Sequence, residues 1–114
     1  MAEYLVLIYE DEAAWESPGP GTVEEMMKGH QIFGERHASA IRGGNALQPA
    51  ATATSLREDG DGGFTITDGA FAETKEALGG YYLLEAVDLD DAIAMAKEIP
   101  ARAGGVEVRP IRPL

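Results

Sequence analysis

The chain has no cysteine, which excludes disulfides, thiolate nucleophiles and cysteine-ligated zinc. Basic residues are scarce: nine Lys and Arg stand against twenty Asp and Glu, for a formal charge of −11. Such a field repels phosphate backbones, so no nucleic-acid partner is expected. Its first use is solubility, and a basic protein partner is the other use it allows. Long apolar runs are also missing. The run from Tyr4 to Tyr9 is too short to cross a bilayer, and Glu3 precedes it where a signal peptide would carry a base. It reads as a strand, and the expectation is a cytoplasmic domain without a membrane segment.

What is present suffices for one domain over residues 1–114, since 114 residues with 45% hydrophobic content can bury one core but not two. Residues 3–9 (E-Y-L-V-L-I-Y) predict a central strand, and residues 10–21, acidic and then rich in Pro and Gly, predict a loop in which Trp15 folds back as a lid or meets a ligand. Thr22 and Glu25 have the T-x-x-E spacing of a capping box. From there Val23, Met26, Met27, His30, Phe33, Gly34, His37, Ala38 and Ile41 recur at helical spacing, predicting a helix to about Arg42 that Gly43-Gly44 would end.

Residues 46–57 read as a strand broken near Pro49, residues 58–63 (E-D-G-D-G-G) as a turn, and residues 64–67 as the returning arm. The stretch from Asp68 to Gly79 holds a turn, a polar connector and a Gly-Gly pivot; residues 80–87 then alternate Tyr81, Leu83 and Glu85 against Tyr82, Leu84 and Ala86 as a strand. Asp88 caps a second helix with Leu89, Ala92, Ile93, Ala96 and Ile99 as its stripe and Pro100 as its stop, and residues 106–110 form the last strand. Two βα units separated by antiparallel elements predict an α+β, ferredoxin-like sandwich with two helices on one face of an antiparallel sheet. Because L-V-L-I and Y-Y-L-L are apolar on both sides, the other face needs a cover, and a second copy forming a two-fold homodimer is the simplest one.

The run T-D-G-A-F-A-E-T-K-E-A-L-G-G-Y-Y-L-L-E at residues 67–85, followed by L-D-D-A-I-A-M-A at 89–96 and G-V-E-V-R-P at 105–110, resembles the DGPF subgroup of the YCII-related family. Ala70 stands where that subgroup has proline, which loosens the Asp68-Gly69 turn because proline would fix φ. The resemblance implies a ferredoxin-like fold that dimerises through its sheets as a dimeric α+β barrel. It also implies an acid-base pair formed by a first-helix histidine and an aspartate near the sheet. One relative is associated with removing chloride from a chlorinated hydroxyquinol, and many are neighbours of, or fused to, extracytoplasmic-function sigma factors.

Asp68 and His30 are therefore the candidate catalytic residues. Asp68 is either a turn residue bonding its own backbone or a base tuned by a partner. His30, among Met26, Met27, Phe33 and Gly34, is either a histidine tied to the backbone or a pocket group. His37 lies seven residues on, about 10 Å along a helix axis and so too far to share one metal ion with His30. No metal or cofactor is expected. Candidate ligand-binding residues are His37, Phe33, Phe71 and Lys75, with Lys75 either on a solvated helical turn or facing an anionic ligand. Glu85 and Arg109 are expected to pair across strands. Two functions follow. One is a small dimeric domain binding a small organic ligand, with metal-independent, lyase- or isomerase-like acid-base activity; the other is a regulatory module associated with a sigma factor.

Overall fold

The structure, a computed structural model, describes residues 1–71 and 76–114. The elements in chain order are β1 (Ala2–Asp11), α1 (Ala13–Glu16), α2 (Thr22–Arg36), β2 (Ile41–Ala46), a 3₁₀ turn (Ala50–Thr52), β3 (Thr54–Glu58), β4 (Phe64–Asp68), β5 (Glu76–Ala86), α3 (Leu89–Ala96) and β6 (Gly104–Pro110). The main sheet runs β2-β5-β1-β6 with every neighbour antiparallel. With the separate β3–β4 hairpin set aside, this is the β-α-β-β-α-β order of a ferredoxin-like fold, as expected.

Strand alternation sorts the core. Tyr4, Val6 and Ile8 of β1 lie opposite Leu84, Tyr82 and Gly80 of β5, so all project to one face. Against that face pack Phe33 from α2 and Ala92, Met95 and Ala96 from α3, which places both helices on the same side. The other face carries Leu5, Leu7, Tyr9, Tyr81 and Leu83, each half-buried. Asp88 caps α3 as expected: its Oδ1 accepts the Asp91 N–H at 2.9 Å, and Asp91 Oδ2 accepts the Val87 N–H at 2.9 Å. Among the described residues no helix is long and apolar enough to cross a membrane.

Several boundaries differ from the expectation. Helix α2 stops at Arg36, and His37 N–H closes its last turn onto the Phe33 carbonyl. Ile41, Gly43 and Gly44 belong to β2, which pairs with β5. The two glycines do not cap the helix. A Cβ on Gly44 would lie 2.8 Å from the Tyr81 carbonyl oxygen and 2.9 Å from Tyr82 Cδ1, so glycine is there for close strand approach. Thr22 is the first residue of α2; the cap is Gly21 at φ +76°, with no side-chain hydrogen bond. Strand β5 begins at Glu76, so Gly79 and Gly80 lie inside it, beside a bulge opposite Ile8 and Tyr9. Of the expected polar connector, residues 72–75 lie outside the described residues. Glu85 and Arg109 do not pair, because β1 lies between their strands; Arg42 Nη2 reaches Glu85 Oε2 at 3.2 Å and Arg109 meets Glu107 on its own strand at 2.6 Å.

The β3–β4 hairpin stands off the body. The Cα radius of gyration of 16.2 Å exceeds the about 13 Å of a compact chain of this length. The two arms of the hairpin are closed at its base, where the Gly69 N–H donates to the Ala53 carbonyl at 2.7 Å and Ser55 Oγ donates to the Gly69 carbonyl at 2.6 Å. Gly69 takes φ +96°, the conformation expected of the Asp68-Gly69 turn.

Candidate functional site

Beneath the N-terminal half of α2 the sheet offers little side chain. Gly80 lies opposite Ile8 and Ala46, and Gly44 lies opposite Tyr82, so the floor there is almost bare backbone. A Cβ on Gly80 would meet the Asn45 carbonyl oxygen at 3.0 Å. The same strand closeness that demands glycine thus leaves the helix above unsupported. The result is a cavity of about 570 Å³, walled by Val23, Met26, Met27 and His30 of α2, by Ile8 and Glu10 of β1 and by Trp15. Most of its lining is apolar, and its volume suits a small organic molecule.

The polar groups are few and close together. His30 Nδ1 and the Tyr82 hydroxyl are 2.7 Å apart, and their rings stack with centroids 5.8 Å apart. Tyr82 is fixed in turn by Phe33, whose ring centroid is 4.9 Å away. Burial lowers the His30 pKa from its ordinary 6.5, and the nearby Glu10 carboxylate opposes that shift. Burial raises the Tyr82 pKa, keeping its hydroxyl protonated. His30 is therefore a neutral imidazole at neutral pH, held on one nitrogen by Tyr82, and an imidazole in that state can take up a proton from a bound molecule.

Glu10 continues the inward alternation of Tyr4, Val6 and Ile8. Its Oε2 accepts the Arg102 N–H at 2.9 Å. A second lobe of about 400 Å³ shares Glu10, Trp15 and Gly79 with the first and adds Glu12, Glu16, Leu47 and Pro49. Glu12 Oε1 accepts the Ala50 N–H at 2.7 Å, fixing the loop after β2. Trp15 lies in the short helix α1 and not in the loop expected there; it lines both lobes and does not pack on the core, and the Arg102 guanidinium is 5.8 Å from its ring centroid. Among the described residues no three His, Asp or Glu side chains converge as a metal site.

Of the residues singled out from sequence, His30 lies on this cavity. Asp68 does not line either lobe: it ends β4, exposed, opposite Thr54 on the projecting hairpin. Phe33 is 1% exposed and supports Tyr82 from the core without lining the cavity. His37 Nε2 lies 2.7 Å from Glu98 Oε2, in an ion-pair group with Arg36 that joins α2 to the segment after α3. Phe71 is exposed beneath the Arg57 guanidinium, 4.6 Å from its ring centroid. Lys75 lies outside the described residues. Sequence reasoning passed over Glu10 and the role of Tyr82. The signal for Glu10 was its even-numbered parity with Tyr4, Val6 and Ile8; that for Tyr82 was its place on the face of Leu84 and Ala86.

A family model described as "YCII-related domain" matches residues 2–114. An uncharacterized protein of Rhizobium meliloti (strain 1021) is 33% identical over 113 residues, covering 95% of this chain and 90% of the relative.

Proposed function

The chain belongs to the YCII-related domain family, and from that premise we propose that it binds a small organic molecule in the cavity between α2 and the sheet. The observation that carries this reading is the apolar cavity of about 570 Å³ whose polar groups include His30, held by Tyr82, and Glu10. Its chemistry would be proton transfer of the lyase or isomerase kind. Neutral His30 would take the proton, and Glu10, which interacts electrostatically with it, would stabilise the imidazolium that forms. Glu10 thereby fills the role that the sequence suggested for Asp68. The T-D-G-A-F run favours the DGPF subgroup within the family.

A metabolite screen by thermal shift tests the site. Ligands that stabilise the parent should lose that effect in His30→Ala and Glu10→Gln and keep it in Asp68→Asn. Equal stabilisation of all three variants would remove the site from this cavity. Two copies are proposed to pack sheet to sheet. Support comes from the half-buried Leu5, Leu7, Tyr9, Tyr81 and Leu83 on the helix-free face. Sedimentation equilibrium should give a dimer that Leu7→Lys dissociates.

A second reading is favoured by the hairpin. Leu56, Phe64 and Ile66 are 51%, 57% and 67% exposed on one of its faces, which Glu58 and Asp68 share. An apolar patch rimmed by acids suits a basic protein, and an extracytoplasmic-function sigma factor is the proposed one. Capture of such a partner should weaken with added salt and with Ile66→Lys. Capture indifferent to both would sink the reading.

A further inference from the structure

The two lobes of the cleft meet at Glu10, Trp15 and Gly79, and the charge along them has one sign. Beneath α2 the walls are Val23, Met26 and Met27. At the junction Glu10 presents a carboxylate of which only Oε2 is engaged, by the Arg102 N–H; Oε1 has no hydrogen-bond partner among the described residues. Beyond it the second lobe adds two more acids, Glu12 and Glu16. Among the described residues, every lining side chain charged at neutral pH is a carboxylate, since burial keeps His30 neutral. The nearby cation, Arg102, lies against Trp15 and outside the lining. The formal charge of −11 extends the same field over the whole chain.

A charge entering this cleft meets a carboxylate with one oxygen free of hydrogen-bond partners among the described residues, at the wall of a mostly apolar space where water screens it less than in bulk. At about 4 Å, the separation of a hydrogen-bonded pair, and a dielectric between that of the interior and that of water, one such carboxylate favours a cation and disfavours an anion by about tenfold each relative to a neutral molecule. Resting on the reading of this cavity as a ligand site, we propose that its ligand is a small amine, with a compact apolar body beneath α2 and an ammonium group hydrogen-bonded to Glu10 Oε1 where the lobes join. Anionic ligands such as carboxylates and phosphate esters are disfavoured by the same carboxylate.

Three probes of one shape and different charge test it: phenethylamine, phenethyl alcohol and phenylacetate, titrated into the full chain while the methyl NMR signals of Met26 and Met27 are followed. Phenethylamine should move both signals and bind about tenfold tighter than the alcohol, with phenylacetate the weakest. Glu10→Gln keeps an acceptor for the Arg102 N–H, so the fold is retained; the amine should then bind within about threefold of the alcohol. Glu10→Asp keeps the charge and should keep the preference. If all three probes moved the methyl signals with equal affinity, the charge selection would be overturned while the site reading stood. If none moved them, the site reading would fall as well.

Discussion

The hydrogen bond between His30 and Tyr82 joins α2 to β5 across the cavity wall, and Tyr82→Phe removes it with little other change. The Phe33 ring 4.9 Å from Tyr82 packs against the ring that the substitution keeps, so no cavity term enters. What is lost is one hydrogen bond between half-buried groups, 2.7 Å long, with a net worth of about 1 kcal/mol. His30→Ala removes the same bond along with the stacked imidazole, and should cost more. In a double-mutant cycle the coupling of the pair should be about 0.5 to 1.5 kcal/mol. Urea unfolding at pH 8, where the imidazole is neutral, measures this. Midpoints should shift with unchanged slope, and protein concentration must be fixed because association would enter the equilibrium. Coupling below about 0.3 kcal/mol, the level of ordinary additivity, would mean that the two groups do not hold one another in solution.

Three further outcomes follow. Phe33→Ala should cost about 3 to 5 kcal/mol, since it empties a fully buried site between the Tyr82 and His37 rings; calorimetry showing a loss below about 1 kcal/mol would contradict that packing. Burial lowers the His30 pKa against the opposing Glu10 carboxylate, so on acidification the unfolded chain takes up the proton first. Stability is then constant through this group above its ordinary value of 6.5, and it is lost as pH falls from there through the folded value. His30→Gln should flatten the stability profile as pH falls below 6.5, and parallel profiles for the two proteins would refute the assignment. Asp88→Ala should cost about 1 kcal/mol by removing the N-cap of an eight-residue helix, read as a lowered urea midpoint.

The sequence carried the fold well wherever local signals and tertiary placement agree. The apolar runs Y-L-V-L-I-Y and Y-Y-L-L mark both central strands, and Asp88 caps α3 as its position requires. The errors fall where one local signal serves two ends. Gly43-Gly44 after an apolar helical stripe reads as a helix stop, yet it is the closeness of β2 to β5 that calls for glycine there. Ile41 fits the helical stripe and also packs against the core from a strand. Asp68 shows the limit for sites. Its turn was legible from Asp-Gly, and Gly69 has the expected positive φ, but the direction in which a hairpin projects is set by contacts distant in sequence. Glu10 was the reverse case. Read as the start of an acidic loop, it is the last inward position of a strand that continues to Asp11.

The cavity was the least legible feature because absent side chains make it. Gly44 and Gly80 cannot take even a methyl group without meeting the backbone of the opposing strand, so the floor cannot be filled from below. Filling from above falls to Met26 and Met27, and Met27 remains 68% exposed, leaving apolar surface open to water at the cavity wall. Methionine has the unbranched, adaptable side chain that moulds to whatever enters such a space. A fold selected only for stability would close it with a branched residue on α2, gaining about 25 cal/mol for each Å2 removed from water. Instead the space sits against the half-buried Glu10 and His30, the polar groups whose burial the fold must offset elsewhere. An unfilled volume and two ionisable groups at the same wall are each unfavourable alone, and their coincidence is the physical argument for the ligand site proposed at this wall.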